Sequence, residues 1–249
     1  LYSFPIRSLV MGAVLAGTGA PLAAHAQGIP SVELEATTDY RSRGLSWSDG
    51  DPALRAAVDV PVTSAITLSA QGVTLREASR HGGADAGFEL AASYSAYAGL
   101  IDWRGAAVAH VFAGGQGDLN YGEAEAGLGA SLGPARVDLS ASYAPSQDAI
   151  GGSNLYARLG ASVGIPATPF LFYGHVGHSS GSDDGTGRAN RLRPAGDYAD
   201  WAVGTEYYFA PVSLALTYSD TDIHRGDLRV PVLDHHYGEK LVASAIMRF

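Results

Sequence analysis

Lys240-Leu241-Val242-Ala243-Ser244-Ala245-Ile246-Met247-Arg248-Phe249 is the stretch whose reading decides the fold. Leu241, Ala243, Ala245, Met247 and Phe249 fall on one face; Lys240, Val242, Ser244, Ile246 and Arg248 fall on the other. A period of two sustained over ten residues marks a β-strand, because successive side chains of a strand point to opposite faces. One face is wholly apolar and the run ends on an aromatic ring, the form expected of the closing strand of an outer-membrane β-barrel.

Eleven further segments alternate in the same way: residues 32–46, 54–62, 66–75, 88–98, 102–112, 121–132, 136–144, 155–163, 170–178, 198–209 and 212–219. In 54–62, Leu54, Ala56, Val58, Val60 and Val62 oppose Arg55 and Asp59. In 121–132, Ala124, Ala126, Leu128 and Ala130 oppose Glu123 and Glu125. The first segment sets Val32, Leu34, Ala36 and Tyr40 against Glu33, Glu35, Asp39, Arg41 and Arg43. Segment 66–75 alternates only in its first half, and 102–112 leaves its phase open.

The links alternate too. They are short around Thr63-Ser64, Gly99-Leu100, Gly133-Pro134, Pro166-Ala167 and Ala210-Pro211, and mostly longer between. That is the layout of a twelve-stranded, antiparallel, up-and-down transmembrane barrel with short periplasmic turns and longer outer loops. Lipid offers the backbone no hydrogen-bond partners, so a β protein crosses a bilayer only as a closed sheet. An outward Lys or Arg at the midplane costs about 2–4 kcal/mol, and in this phasing the charges of the well-patterned strands fall on the inner face. A soluble sandwich with one wet face would also alternate, but with more lysine on that face and no alternation of loop length.

At the other end, Arg7 precedes the small, apolar stretch 8–24, and Ala24-His25-Ala26 has the form of a signal-peptidase site. A cleaved signal peptide over 1–26 and a barrel over 27–249 are expected. Gly12, Gly17, Gly19 and Pro21 interrupt the stretch and argue against a membrane anchor. Mean hydropathy is only +0.04 because alternating strands dilute their apolar face. The net charge of −9 and the lack of a basic cluster argue against a nucleic-acid partner. With no cysteine, disulfides, thiolate metal sites and a cysteine nucleophile are excluded. The 32 glycines and 13 tyrosines suit close strand packing and an interfacial aromatic girdle.

Candidate functional residues are the charges assigned to the lumen. The densest set is Asp39, Arg41 and Arg43, with Arg55 on the neighbouring strand and Glu123 and Glu125 across the sheet. They serve either as an electrostatic constriction that screens solutes or as structural ion pairs filling a narrow barrel. Phe249 is read as the signal that the barrel-assembly machinery recognises. His175 and His178 lie three apart, so a strand points them to opposite faces and no metal is expected there. His235 and His236 with Asp234 read as a solvated outer loop, and 181–187 as a flexible one. Strand serines such as Ser93, Ser95, Ser140 and Ser142 sit in no nucleophile elbow. An enzyme is not expected, and no cofactor is called for.

Thr38-Asp39-Tyr40-Arg41-Ser42-Arg43-Gly44-Leu45-Ser46-Trp47-Ser48-Asp49-Gly50, followed by Pro52-Ala53, resembles the opening strand of the TorF-type porin family. Asp197-Tyr198-Ala199-Asp200-Trp201, Tyr218-Ser219-Asp220-Thr221-Asp222-Ile223 and the ending Met247-Arg248-Phe249 are similar to that family's closing segments. The resemblance implies a Gram-negative outer membrane, a diffusion pore for small hydrophilic solutes and no catalytic residues. Two alternatives stay open: a structural or adhesion barrel with a plugged lumen, and an outer-membrane lipid-modifying hydrolase.

Overall fold

The computed structural model describes residues 29–224, 228 and 236–249. The expected signal peptide, 1–26, lies outside the described residues, as do Asp234 and His235.

Twelve strands form the wall: β1 (Ser31–Thr37), β2 (Ala53–Pro61), β3 (Ile66–Ala78), β4 (Ala84–Ala98), β5 (Ile101–Ala113), β6 (Tyr121–Leu132), β7 (Ala135–Gln147), β8 (Gly152–Gly164), β9 (Phe170–Ser180), β10 (Tyr198–Phe209), β11 (Val212–Thr221) and β12 (Lys240–Arg248). Each pairs antiparallel with its neighbours in sequence, and β12 returns to β1. At that seam Glu33 faces Arg248, Glu35 faces Ile246 and Thr37 faces Ser244. The register extends through Phe249, whose N–H donates to the Val32 carbonyl (2.9 Å) while its carbonyl accepts from Val32 N–H (3.2 Å).

The outer face carries exposed Leu34, Leu54, Leu68, Leu90, Leu128, Leu139, Leu159, Val203, Leu216 and Leu241. Tyr94 and Trp103 lie 5.3 Å apart, and Phe170 and Tyr207 5.0 Å apart, in an aromatic band near the short-turn end. An apolar belt with an aromatic rim is the exterior of a barrel that meets lipid. The phase left open in β5 resolves with Asp102, Arg104 and His110 inward, facing Gly129, Gly127 and Tyr121 of β6.

The first strand is shorter than the expected 32–46. It ends at Thr37, and residues 39–51 turn into the lumen. There the short strands Arg41–Ser42 and Leu45–Ser46 pair as an inner hairpin. Its two turn residues, Arg43 and Gly44, both have positive φ (53° and 75°), the geometry that matches the twist of a two-residue hairpin. A Cβ on Gly44 would lie 2.6 Å from the Thr221 methyl and 2.7 Å from Asp200 Cβ, so the hairpin tip is fitted against the wall. Tyr40, expected on the outer face, instead packs inside beside Trp47.

The plug explains why β3 stops alternating. Val73 and Leu75 face inward and are buried against Tyr40, Trp47 and Leu119, so the inner face of that half-strand is apolar rather than polar. Two further buried clusters lie at the long-loop end, one around Tyr121, Ile150 and Leu192 and one around Leu45, Tyr198, Ile223 and Tyr237.

Removing Phe249 deletes two backbone hydrogen bonds at the seam, each worth about 1 kcal/mol. The truncated chain is expected to give less heat-modifiable, folded barrel on gels of membrane fractions than the full chain. Equal yields would show that closure does not depend on this residue.

Candidate functional site

Alternation sends every second residue inward, and the barrel brings these residues together in layers. Near the short-turn end, Arg55 donates to Glu33 (2.6 Å), Glu35 (3.2 Å) and Gln71 (2.7 Å). Arg248 donates to Glu33 (2.8 Å), Glu206 (2.9 Å) and Ser213 (3.1 Å). This network laces the seam from β10 to β3 on its inner face. Opposite it, Arg136 forks onto Asp102 with two 2.7 Å bonds, and Arg158 pairs with Asp138 at 2.7 Å. The Asp102 side chain keeps 37% of its surface in solvent and Asp138 21%, so this end is a wet vestibule.

The middle layer is built on the inner hairpin. Asp39 accepts from Ser46 (2.5 Å), Ser48 (3.2 Å) and Arg41 (3.3 Å). Arg41 also donates to the carbonyls of Gly44 and Gly238, tying the hairpin to the last outer loop. Arg43 leaves the hairpin for the wall: it bonds Glu123 at 2.6 Å and lies over the Tyr156 ring at 5.0 Å. Its own carbonyl accepts from Tyr198 Oη at 2.8 Å. Two luminal histidines face carboxylates, His110 at 3.5 Å from Glu123 and His175 at 3.0 Å from Asp200. Ser142 donates to Glu125 at 3.2 Å.

Two cavities flank the hairpin. One, of about 50 Å³, runs from Asp39, Arg41 and Arg43 to Arg136, Asp138 and Arg158, with Tyr156, Tyr173 and His175 on its walls. The other, of about 20 Å³, is lined by Glu89, Glu123, Glu125, His110 and the far side of Arg43. The two cavities therefore differ in their balance of charge, with four arginines against two carboxylates in the first and three carboxylates against Arg43 in the second. Inward glycines make room for the side chains that lie across the wall. A Cβ on Gly160 would lie 2.7 Å from Asp138 Oδ2 and 2.8 Å from Arg158 Nη1, and one on Gly204 would strike the Tyr173 ring at 2.6 Å.

Above the hairpin sits a closed cap. Arg80 donates to the carbonyls of Ser46 (3.3 Å) and Arg191 (3.0 Å), and Arg191 to those of Leu119 (3.0 Å) and Ala149 (2.6 Å). His81 is fully buried, 4.5 Å from the Trp47 ring and stacked on Phe112 at 4.7 Å. Its Nδ1 meets Arg191 Nη2 at 3.5 Å. Burial first, and then the charges of Arg191, Arg80 and His110, hold its imidazole well below the ordinary histidine range.

The structure places all six sequence-derived luminal residues inside the barrel, on two different supports. Arg55, Glu123 and Glu125 stand on wall strands; Asp39, Arg41 and Arg43 stand on the inner hairpin. It brings Arg43 to Glu123 and Asp39 to Arg41, while Arg55 belongs to the separate seam network. His175 points inward to Asp200, and His178 is exposed on the outer face. The alternation already puts Arg136, Arg158 and Tyr156 on the inner face, although the densest cluster did not include them; Tyr173 was not singled out. Glycines at the inward positions paired with Asp138 and Tyr173, namely Gly160 and Gly204, were their signal.

A family model described as "Bacterial protein of unknown function (Gcw_chp)" matches residues 25–243. The chain belongs to that family. No curated protein sequence matches it. Among solved structures, the NanC porin superposes with a TM-score of 0.60 at 12% identity, covering 87% of this chain and 98% of that one. The KdgM porin gives 0.55 at 8% identity, covering 88% and 99%. An outer membrane channel from Pseudomonas putida F1 gives 0.54 at 14% identity, covering 91% and 97%. At these identities the likeness is one of fold: a closed, twelve-stranded barrel of the outer-membrane kind.

Because the capped state holds His81 neutral, it binds fewer protons there than an opened cap. Its stability is complete above the unfolded histidine value and is lost as pH falls below about 6.5, by about 1.4 kcal/mol per pH unit. In a Trp103→Phe, Trp201→Phe background, acrylamide quenching of Trp47 should rise between pH 7 and pH 5. The rise should vanish on adding His81→Phe; a rise that persists would locate the acid-sensitive group elsewhere.

Proposed function

We propose that this chain is an outer-membrane channel for the passive diffusion of small hydrophilic solutes, narrowed from within by its first connection. The apolar belt meets outer-membrane lipids, and the chain reaches that membrane through the barrel-assembly machinery with Phe249 as its signal. The observation that carries the reading is the arginine-lined cavity beneath the hairpin. It reaches from residues 39–44 to Arg136, the second residue of β7, and Ser162 near the end of β8, close to the wet short-turn end. A barrel filled only for stability gains little from lining that path with guanidinium and carboxylate groups, which are costly to desolvate. The fold likeness to the KdgM and NanC porins and the TorF-type resemblance of residues 38–53 support the same assignment. On this reading Asp39, Arg41 and Arg43 set the constriction from the hairpin, and Arg55, Glu123 and Glu125 from the wall.

The second reading is a plugged structural barrel. It is favoured by the size of the larger luminal cavity, about 50 Å³, and by the buried cap above it.

Conductance in planar bilayers separates the two. The purified barrel should show discrete, low-conductance openings; a barrel that folds and stays silent would favour the plug. Arg41→Ala with Arg43→Ala should raise conductance, since Arg41 ties the hairpin to Gly238 in the last outer loop. It should also shift selectivity toward cations, since Glu123 loses its arginine partner. A unit charge about 4 Å from a passing ion is worth about 1 kcal/mol in water, roughly a fivefold change in relative permeability. Unchanged selectivity would place the constriction elsewhere.

A further inference from the structure

The larger luminal cavity has a property that ion pairing alone leaves unexplained. Four arginines line it, Arg41, Arg43, Arg136 and Arg158, against two carboxylates, Asp39 and Asp138. Both carboxylates are already engaged. Asp39 accepts from two serines and Arg41, and Asp138 accepts from Arg158 Nη1 at 2.7 Å. Donors, by contrast, remain. Arg43 Nη1 and Arg158 Nε are buried and have no hydrogen-bond partner among the described residues. Both residues are 9% exposed. Guanidinium N–H groups buried in this way cost free energy until they donate.

The cavity's shape is built around the same groups. The Arg43 guanidinium is held flat by the Tyr156 ring at 5.0 Å and anchored through Glu123 at 2.6 Å. The Arg158 guanidinium is laid along the wall by Asp138, over Gly160, where a Cβ would come within 2.8 Å of Arg158 Nη1. The volume of about 50 Å³ corresponds to roughly three to five water positions at about 10–15 Å³ each. That suits one compact anion with part of its hydration shell.

We propose that this cavity is an anion subsite, in which Arg43 and Arg158 together bind a compact monovalent anion such as a halide or the carboxylate of a small acid. The inference deepens the channel reading and rests on it for the passage of such anions through the lumen. Binding itself needs only entry from the short-turn end, where Asp102 and Asp138 meet solvent. The carboxylate-lined cavity across the hairpin, around Glu89, Glu123 and Glu125, would repel the same ion.

The test uses the full barrel, refolded in zwitterionic detergent micelles, with chloride as probe and acetate as competitor. Chloride-35 NMR linewidth should show saturable broadening that acetate reverses. Arg158→Gln should weaken the apparent affinity roughly tenfold, the scale of one charge-assisted hydrogen bond lost. Arg158→Lys, which keeps the charge, should retain most of it. Heat-modifiable migration verifies folding of each variant. Should Arg158→Gln fail to fold, Gly160→Ala displaces the same guanidinium without removing it and should weaken chloride binding likewise. A folded wild-type barrel without saturable broadening, or a folded variant at either position with undiminished binding, would overturn the proposal. A barrel that binds chloride without conducting would keep the subsite and reject the channel. One that conducts without binding would keep the channel and reject the subsite.

Discussion

Backbone hydrogen bonding between β1 and β12 is the interaction on which the rest of this structure depends. A sheet that meets lipid on its outer face has no solvent to satisfy its edges, so the first and last strands must find each other. Here they do so from the Phe249–Val32 pair up to the Thr37–Ser244 pair. Closure at twelve strands then sets the bore. A barrel of eight strands is filled by its own side chains, and one of sixteen leaves an aqueous channel. Twelve lies between, wide enough that wall side chains leave space and narrow enough for one inward loop to occupy it.

The inner hairpin is the consequence. Its fit depends on a few groups rather than on bulk. Gly44 lets the tip approach Asp200 and Thr221, Asp39 gathers two serine hydroxyls and Arg41, and Arg43 reaches across to Glu123. The hairpin also divides the lumen into unlike halves, because Arg43 stands between an arginine-lined and a carboxylate-lined cavity. In the proposed channel, such a transverse arrangement of fixed charge would discriminate between solutes by the orientation of their dipoles as well as by their net charge.

The wall was legible because lipid enforces a strict period of two. Along the lipid-facing belt the outward side chains are small or apolar, and β4, β6 and β12 show it plainly. Legibility failed where the barrel touches protein instead of lipid or water. Val73 and Leu75 are apolar and inward because Trp47 and Leu119 lie against them, which erases the alternation of β3. The stretch 39–46 fails in the opposite way. Its apparent alternation is that of a two-residue hairpin, whose strands share the period of the wall. The Arg43-Gly44 turn was the clue that the strand had already ended. The arginine cavity was hidden for a third reason. Arg136, Tyr156, Arg158 and Tyr173 come from β7, β8 and β9, and only closure and register bring them to the hairpin.

In the proposed channel the hairpin, not the wall, sets the constriction. Thr37 and Ala53 are paired across β1 and β2, so a two-residue Asn-Gly turn can replace residues 38–52 without altering the register. Single-channel conductance of that variant, shown to be folded by heat-modifiable migration, is the most direct measurement. Openings several times larger than those of the full chain are expected, with weaker ion selectivity. An unchanged conductance in a folded variant would contradict it and assign the constriction to the strands themselves.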